Sequence, residues 1–347
     1  MKKKKIALVV DADDWAYANI ARNIIKNIGQ YYDFEMIPSQ YFNDELGKVL
    51  LMTKDFDLIH FFWRGKLLGF DFDDFKNYAI SVGYTKENFL NEYFKNKIIT
   101  TSAYDHLYLE DDTLEYTKQI VKRCDKYYVS SNRLKKIYDK LDLAKYPECV
   151  ITDGIDLDEF YPINLDRFKN INDRKIVIGW VGNSAWESGT EDFKGVNTIL
   201  KPVIEELIEE GYPVEKYFAD RQERMIPHDE MVNYYSKIDL YVCTSKIEGT
   251  PNPVLESMAC GVPIISTDVG IVPDVLGKKQ KEYILKERTK ECLKERIIYL
   301  LEHYEELEKL SQENIENIKN WSWDVITKRM KKFFDKALKE GCHEKDV

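Results

Sequence analysis

The sequence predicts an α/β protein made of two Rossmann-like domains, each a parallel sheet with helices on both faces. Strands and helices alternate along the chain, which is the pattern of parallel sheets, and the alternation restarts near Lys175. The length of 347 residues also exceeds what one hydrophobic core usually serves. The polar, aperiodic segment YPINLDRFKNINDR at 161–174 is the predicted linker between the two halves.

The first half contains four apolar runs that predict buried strands. They are KKIALVV, FDLIHFFW, NKIITTS and KYYVSS. After Asp14, isoleucines recur at helical spacing until Gly29, which predicts a helix directly behind the first strand. Strand followed by helix is the unit from which parallel sheets are built.

The second half begins with the predicted strand KIVIGWVGN at 175–183. A helix with one apolar face follows from Val196, and Gly211 ends it. The next predicted strands are VEKYFA, DLYVCT and VPIIST, with a short helix after Pro227. From Trp321 onward the pattern predicts an amphipathic helix.

Composition argues against several classes of protein. The formal net charge of −10 disfavours a general nucleic-acid binder, and cysteines without a CxxC pair disfavour a zinc or disulfide framework. No apolar run approaches the roughly 20 residues that span a bilayer, and aspartates follow the first apolar run where a signal peptide carries small residues. We therefore expect a cytoplasmic protein. The lysine-rich start and KRMKK leave two alternatives open, peripheral membrane contact or ordinary solvated charge.

The stretch SKIEGTPNPVLESMACG places Glu248 and Glu256 on either side of a turn. Glu248 follows a predicted parallel strand, at the carboxyl end where ligands bind. Asn252 and Pro253 predict a helix start with Asn252 as N-cap, whose free amides suit a phosphate. Carboxylates accept hydrogen bonds from hydroxyls, so hydroxyls flanking a phosphate indicate a nucleotide sugar. The alternative is a solvated Glu248 and a Glu256 that only complements the helix dipole.

The segment IPHDEMVNYYSKIDLYVCTSKIEGTPNPVLESMACGVPIISTDVG resembles the signature of the retaining glycosyltransferases of family 4, a group 1 family, including its two glutamates with seven residues between them. The resemblance continues in CDKYYVSSNRLKK, ITDGIDLDEFYP, WVGNSAW, FKGVNTIL and NWSWDVITKRM. It implies the GT-B fold, with two parallel sheets facing across a cleft. The implied parts are an acceptor-binding domain over 1–162, a nucleotide-sugar donor-binding domain over 163–320, and a C-terminal helix over 321–347 that crosses back to the first domain.

The resemblance also implies the residues that bind the donor. Glu256 would bind the ribose hydroxyls, Glu248 would meet the donor sugar and act in catalysis, and Lys194 would offset diphosphate charge without a metal. A solvated lysine at a helix start is the alternative for Lys194. The remaining implied donor contacts are Gly182, Asn183, Arg221, Gly249, Thr250, Pro251 and Asn252.

The chain departs from the family pattern at several positions. Asn183 stands where an arginine usually follows the strand glycine, and the loop from Asn183 to Lys194 is long. Arg221 or Arg224 is the candidate that supplies the missing positive charge, with ordinary surface arginines as the alternative. DADDWAYAN replaces the glycine-rich loop that many members carry after the first strand.

The first half offers candidates for acceptor binding. Asp13 and Trp15 follow the first strand and are predicted to bind acceptor hydroxyls and a sugar face. His106 matches a histidine that family members carry near the reacting sugar, so it is a predicted catalytic residue. There are two alternatives. Either the family's histidine position corresponds to Asp105 instead, or His106 is a buried structural histidine.

Two Asp-x-Asp triplets, at 11–13 and 71–73, resemble the element by which another glycosyltransferase fold holds a divalent cation. Such short carboxylate pairs are common by chance. We expect neither a metal nor another cofactor, with the nucleotide sugar as co-substrate.

The resulting hypothesis is a retaining, metal-independent glycosyltransferase of the hexosyltransferase type. It would move a sugar from a nucleotide-sugar donor to a hydroxyl of a glycan, lipid-linked or protein acceptor. A sugar-nucleotide epimerase of the GT-B fold and a non-catalytic nucleotide-sugar-binding protein are the alternatives.

Overall fold

The computed structural model describes residues 2–43, 45–185, 191–341 and 345 of the chain. The chain divides into two compact units. Unit 1 consists of Met1–Asp153 and Trp323–Val347, and unit 2 is Gly154–Ser322. Each unit contains one sheet whose neighbouring strands are parallel, which confirms the predicted α/β class with two parallel sheets.

The sheet of unit 1 has the strand order β2-β1-β3-β4-β5. Its strands are β1 Lys5–Val10, β2 Asp33–Pro38, β3 Leu58–Phe61, β4 Ile98–Ala103 and β5 Lys126–Val129. The sequence pattern did not predict β2, because charged and apolar residues alternate in DFEMIP and only Ile37 of that strand is buried. Its position at the edge of the sheet explains this exposure.

Helices cover the sheet of unit 1. They are α1 Ala16–Ile28, α2 Leu46–Met52, α3 Asp73–Ser81, α4 Lys86–Leu90, α5 Leu114–Lys122 and α6 Asn132–Tyr138, with short 3-10 or π helices at Ser39–Phe42, Arg64–Asp71 and Asn91–Lys95. The predicted isoleucine face of α1 is confirmed, since Ile20, Ile24 and Ile28 are buried.

The sheet of unit 2 has the order β7-β6-β8-β9. Its strands are β6 Ile176–Gly182, β7 Val214–Asp220, β8 Leu240–Cys243 and β9 Ile264–Ser266. All four were predicted from apolar runs. Because neighbouring strands are parallel, their carboxyl ends share one edge of the sheet, and the segments that follow them assemble there.

The helices of unit 2 pack on both sides of this sheet. They are α7 Lys201–Glu209, α8 Met231–Tyr235, α9 Asn252–Ala259, α10 Val272–Val275, α11 Lys290–Glu302 and α12 Glu305–Ile318, with short 3-10 or π helices at Asp166–Phe168, Ile171–Asp173, Val196–Leu200, His228–Glu230, Gln280–Tyr283 and Lys319–Trp321. The apolar face predicted from Val196 therefore begins as a π turn and continues as α7.

Residues 154–162, predicted as the end of the first domain, belong to unit 2. The Ile155 amide donates to the Trp321 carbonyl at 3.0 Å, and Phe160 lies in a hydrophobic core of unit 2. Backbone pairing and side-chain burial both tie this segment to unit 2.

The last described helix, α13 Trp323–Glu340, belongs to unit 1. Phe333 and Phe334 are buried, and Tyr32 donates to Oδ1 of Asp335 at 2.5 Å. The opposite face of α13 is rich in lysine. Among the described residues, no helix is both long and apolar enough to cross a bilayer.

His60, on β3, is fully buried under α13. Its ring contacts Phe333 and Phe334, with centroids 6.3 and 5.7 Å away, and its Nδ1 lies 2.9 Å from Oγ1 of Thr100. Burial lowers the pKa of His60 to about 3. The histidine is therefore neutral in the folded chain and is a core residue of unit 1.

This burial predicts that acid destabilises unit 1. Unfolded chains bind a proton at His60 below pH 6.5 while the folded chain resists until about pH 3. Between pH 6.5 and about pH 3, the free energy of unfolding should therefore fall by about 1.4 kcal/mol per pH unit because of His60. Urea unfolding of wild type and His60→Gln from pH 7 to pH 4 measures this, and the variant should have the shallower slope. The matched control, His303→Gln in unit 2, should retain the wild-type slope; equal slopes for all three proteins would contradict the prediction.

Candidate functional site

The strand-end edge of unit 2 contains a cavity of about 370 Å³. Segments after β6, β7 and β8 line it, as expected for a parallel sheet. The lining residues are Val181, Gly182, Ala219, Arg221, Met225, Ile226, Pro227, His228, Met231, Asn252, Pro253 and Glu256. Four predicted donor-binding residues, Gly182, Arg221, Asn252 and Glu256, therefore lie around one cavity.

Gly182 ends β6 at the wall of this cavity. A Cβ at Gly182 would lie 2.8 Å from the buried indole of Trp180, and its φ of 157° is one that side chains disfavour. Its carbonyl accepts a hydrogen bond from the Arg221 amide at 2.9 Å. The backbone is thus exposed to a ligand at this point because no side chain fits.

The loops after β6 and β7 are tied together by the buried carboxylate of Asp220. Its Oδ1 accepts from the amides of Ser184 and Gln222, both at 3.1 Å. Oδ1 of Asn183 accepts from the Gln222 side chain at 2.8 Å and from the Ala185 amide at 3.1 Å. The Asn183 side chain therefore organises the loop, and Asn183 is not among the residues that line the cavity. Part of the long loop that follows, residues 186–190, lies outside the described residues.

Lys194 and Glu248 form an ion pair next to the same edge of the sheet. The Lys194 ammonium lies 2.7 Å from Oε1 of Glu248, and the Ser245 hydroxyl donates to the same oxygen at 2.7 Å. The side chains of Lys194 and Glu248 are 24% and 17% exposed, so both can reach a ligand. Two residues that the sequence predicts on the phosphate and sugar side of the donor are therefore in contact.

Backbone packing fixes the position of Lys194. Gly195 has φ 69°, and a Cβ there would lie 2.5 Å from the Thr244 carbonyl oxygen, so only glycine permits this approach. Arg288 donates to the carbonyls of Thr244 at 2.8 Å and Asp192 at 2.6 Å, which joins the two segments. Sequence reasoning did not single out Arg288, because its partners are backbone carbonyls far away in the chain.

Asp192 occupies the start of the helix that follows Lys194. Its carboxylate accepts from the amides of Gly195 at 2.8 Å, and of Asn197 and Thr198 at 2.9 Å. These amides are already satisfied and are not available to a phosphate. Lys194 is therefore the group with which this segment can meet an anion.

The loop of Gly249, Thr250 and Pro251 rests on a second glycine. The Gly249 carbonyl accepts from the Ile271 amide at 3.1 Å, and a Cβ at Gly270 would lie 2.0 Å from the same carbonyl oxygen. Within the described residues, Oγ1 of Thr250 is buried and makes no hydrogen bond. The loop is thus held against Gly270, and the Thr250 hydroxyl remains without a hydrogen-bond partner among the described residues.

The start of α9 corrects the predicted cap. Asn252 is the first helical residue rather than the N-cap, the cap position belongs to Pro251, and no side chain caps the helix. Proline is tolerated in the first turn because the amide it lacks would have no partner there. The first amides of α9 are consequently not capped by a side chain, and Asn252 and Pro253 line the cavity.

Glu256, one turn into α9, is the carboxylate of the cavity. The hydroxyl of Tyr235 donates to its Oε2 at 2.6 Å. Burial raises the pKa of Glu256, whereas this hydrogen bond and His228 oppose the rise. Glu256 is therefore a desolvated acceptor, held by one fixed donor and facing the cavity.

His228 belongs to the cavity wall, although the sequence did not single it out as a site residue. Its Nε2 lies 3.1 Å from Oε1 of Glu159, and its ring packs 5.6 Å from that of Phe160. The signal that could have identified it is its place soon after β7, at the strand-end edge. Met225, Ile226 and Pro227 precede it and make the wall largely apolar.

The predicted residues of unit 1 lie after β1 and β4. Asp13 accepts from the Gln40 side chain at 3.0 Å and from the Tyr41 hydroxyl, and the Tyr41 bond lowers the pKa of Asp13. Trp15 is 63% exposed and precedes α1. Asp13 is thus partly engaged by its own unit, while Trp15 presents its ring to solvent.

His106 follows β4 and is half-buried. Burial and the nearby cation of Arg133 lower the pKa of His106. The neighbouring Asp105 is paired with buried Arg64 at 2.6 and 3.1 Å, and Arg64 also donates to the Leu107 carbonyl at 2.7 Å. Asp105 and Arg64 therefore fix the loop, and His106 is the residue in it with a weakly basic, neutral side chain.

The second Asp-x-Asp triplet is tied to a cation of the protein itself. Asp71 accepts from Arg123 at 2.6 and 2.9 Å. Within the described ranges, no three histidine, cysteine or acidic side chains are grouped as metal ligands would be. The triplet at 71–73 is therefore explained by an ion pair.

Residues 221–317 match the family model described as "Glycosyl transferases group 1". That range contains the cavity wall from Arg221, the Glu248 loop and α9. This match confirms the predicted resemblance to the group 1 glycosyltransferases over those residues.

Two relatives and a solved structure are also similar to this chain. The chain is 24% identical over 214 residues to the Campylobacter jejuni N,N'-diacetylbacillosaminyl-diphospho-undecaprenol alpha-1,3-N-acetylgalactosaminyltransferase, a match that spans 57% of each chain. An uncharacterized glycosyltransferase of Methanocaldococcus jannaschii is 24% identical over 92% of this chain and 86% of its own length. A crystal structure of Anabaena HepE with UDP and glucose has a TM-score of 0.66 and 12% identity, covering 96% of this chain and 100% of that one. This likeness confirms the predicted GT-B fold.

The Arg64–Asp105 pair predicts a large stability effect in unit 1. Asp105→Ala leaves a buried guanidinium without its carboxylate, so we expect a loss of about 3 kcal/mol of unfolding free energy. The double variant Arg64→Met, Asp105→Ala should recover most of it. Urea unfolding measures both. The control Lys135→Ala breaks an exposed pair and should cost less than about 1 kcal/mol; a similar cost for Asp105→Ala would refute the argument.

The raised pKa of Glu256 predicts that its negative charge lowers the stability of the folded chain. Because its pKa is raised on folding, the ionised carboxylate opposes folding once the pH exceeds the unfolded value of 4.5. Glu256→Gln keeps an acceptor for Tyr235 and removes the charge, so the thermal midpoint at pH 7 should rise. The gain should vanish below pH 4.5, where both states are protonated. Glu308→Gln, at an exposed position, is the control and should leave the midpoint nearly unchanged. A lower midpoint for Glu256→Gln at pH 7 would mean that the charge stabilises the fold.

Proposed function

We propose that this protein transfers a sugar from a nucleotide-sugar donor to a hydroxyl acceptor, with retention of the anomeric configuration and without a metal. The observation that carries the proposal is the arrangement along one edge of unit 2. The Lys194–Glu248 ion pair, the start of α9 without a side-chain cap, and Glu256 in the cavity all lie there. A cation, the start of α9 without a side-chain cap and two carboxylates match the phosphates and the hydroxyls of a nucleotide sugar.

The nucleoside belongs in the cavity. Its apolar wall from Met225 to Pro227 suits the face of a base, and Glu256 accepts from the ribose hydroxyls. The exposed backbone at Gly182 and the amide end of α9 suit the phosphates. The match of residues 221–317 to the glycosyltransferase family model supports assigning the donor to this part of unit 2.

Lys194 and Glu248 separate when the donor binds. The ammonium exchanges a carboxylate for the diphosphate, whose charge grows as the bond to the sugar breaks, and this stabilises the transition state. Glu248, released from Lys194 but still held by the Ser245 hydroxyl, accepts from hydroxyls of the donor sugar. The ion pair thus keeps both groups in place before the donor arrives.

In the transfer step, the acceptor oxygen forms the new bond to the anomeric carbon while the bond from that carbon to the phosphate oxygen breaks. The acceptor proton passes to the leaving diphosphate, so attack on the same face retains the configuration. His106, kept neutral by its lowered pKa, orients the acceptor hydroxyl or the donor sugar. Asp13 and Trp15 bind the acceptor through hydroxyls and a sugar face.

The acceptor is a hydroxyl of a glycan, a lipid-linked saccharide or a protein. The name of the Campylobacter relative includes a diphospho-undecaprenol acceptor, which favours the lipid-linked class. Contact with a membrane surface would then be peripheral, through lysine-rich surfaces such as the outer face of α13. Because that match spans 57% of the relative, the acceptor is proposed as a class only.

The donor assignment is tested with a panel of UDP-, GDP-, ADP- and CMP-sugars. We expect calorimetric binding and slow release of the nucleotide for at least one donor, including in the presence of EDTA. Glu256→Ala should weaken donor binding by about 1.5 to 3 kcal/mol, because a charge-assisted hydrogen-bond acceptor is removed. Lys194→Ala should lower the affinity for the nucleoside diphosphate but leave the affinity for the nucleoside unchanged. Glu308→Ala is the matched control with wild-type affinity.

Absence of binding across the whole panel would overturn the proposal. Binding with product of inverted configuration, seen by NMR, would overturn retention alone. Loss of activity in EDTA that added magnesium restores would overturn metal independence alone.

A further inference from the structure

Tyr235 contacts Glu256 from inside the core of unit 2. It is the last residue of α8, its exposure is 0%, and its hydroxyl donates to Oε2 of Glu256 at 2.6 Å. A phenol that donates to a carboxylate makes a charge-assisted bond, which is stronger than a bond between neutral groups. One oxygen of the cavity carboxylate therefore has a permanent partner within the protein.

The ring of Tyr235 cannot move away from this position. It packs against the rings of Tyr234 and Phe160, with centroids 5.3 and 6.2 Å away, and belongs to the same buried cluster as Leu255. Tyr234 is itself anchored, since its hydroxyl donates to the Tyr217 carbonyl at 2.7 Å. The donor to Glu256 is consequently as rigid as the sheet.

We infer that Tyr235 is a positioning residue for ribose recognition, which orients the Glu256 carboxylate so that its second oxygen, Oε1, accepts from the ribose hydroxyls. The inference rests on the proposed function and extends it, because it assigns the orientation of the carboxylate to a residue that does not line the cavity. A carboxylate on a helix surface samples several rotamers, and one fixed hydrogen bond selects among them. The ribose then meets an acceptor that is already oriented.

The test compares Tyr235→Phe with wild type, using whichever of UDP, GDP and ADP binds most tightly and its 2′,3′-dideoxy counterpart. Wild type should prefer the ribonucleotide. In Tyr235→Phe the affinity for the ribonucleotide should fall roughly tenfold, as expected for one lost orienting bond, while the dideoxy affinity stays unchanged. Tyr241→Phe is the matched control, because Tyr241 is a buried tyrosine of the same cluster and should retain the wild-type preference.

A second readout follows from the titration of Glu256. Burial raises its pKa, and the Tyr235 hydrogen bond opposes the rise, with His228 and Glu159 as the other titratable groups that act on it. Without the Tyr235 hydroxyl the pKa of Glu256 should rise further, so Glu256 becomes protonated at a higher pH. The variant should therefore lose its affinity for the ribonucleotide at a higher pH than wild type does. If Tyr235 had a purely structural role, Tyr235→Phe would lower the affinity for both nucleotides equally. The pH midpoint for the loss of ribonucleotide affinity would then stay unchanged.

The outcomes separate the two proposals. If wild type binds no nucleotide or does not prefer ribose, the proposed donor site fails, and the Tyr235 inference fails with it. If wild type prefers ribose and Tyr235→Phe keeps that preference and the same pH midpoint, only the Tyr235 inference is overturned. An equal loss of affinity for both nucleotides also overturns the Tyr235 inference. Circular dichroism checks that the variant is folded.

Discussion

Parallel pairing of the strands is the constraint on which the site of this protein depends. In each unit the strands point the same way, so their carboxyl ends share one edge and the following segments meet there. In unit 2 this brings together Gly182, Arg221, Glu248 and α9, which lie far apart in the chain. Glycines then let backbone segments approach closely, as at Gly195 against Thr244 and Gly270 against Gly249.

The charged groups at this edge are held by partners that a ligand can replace. Lys194 and Glu248 neutralise each other, and each is partly exposed, so replacing either partner by a charged ligand would cost little desolvation. Glu256 differs, because it is desolvated and its partner Tyr235 lies on the core side. The first pair is therefore suited to exchange, whereas the second is suited to fixed recognition.

Unit 1 uses buried polar residues for a different purpose. Arg64 is buried and holds the loop of His106 through Asp105, and Arg123 holds Asp71 in the same bidentate manner. His60 remains neutral beneath α13. These residues position loops and pack the helix, so charge in a sequence is not by itself a sign of catalysis. The pairing of Asp71 illustrates this, since its triplet resembles a metal site in the sequence alone.

The sequence by itself determined the α/β class, eight of the nine strands among the described residues, and the resemblance to group 1 glycosyltransferases, because apolar runs and a long motif are local signals. It also singled out Glu248 and Glu256, whose spacing belongs to that motif, and Lys194 in the separate segment FKGVNTIL; the roles of these residues stay predictions. The edge strand β2 was missed because its exposed residues lack an apolar run. The predicted cap at Asn252 was wrong because the helix begins at Asn252 itself, one residue earlier than that cap requires.

Only the tertiary structure decided which side chains meet. The contacts of Tyr235 with Glu256, of Arg288 with Thr244 and of His228 with Glu159 join residues 21 to 69 positions apart, and no local pattern encodes such pairs. The assignment of 154–162 to unit 2 likewise depends on backbone pairing with Trp321. Local chemistry therefore predicted the elements and the reactive groups, while packing between distant segments set their orientation and their pKa values.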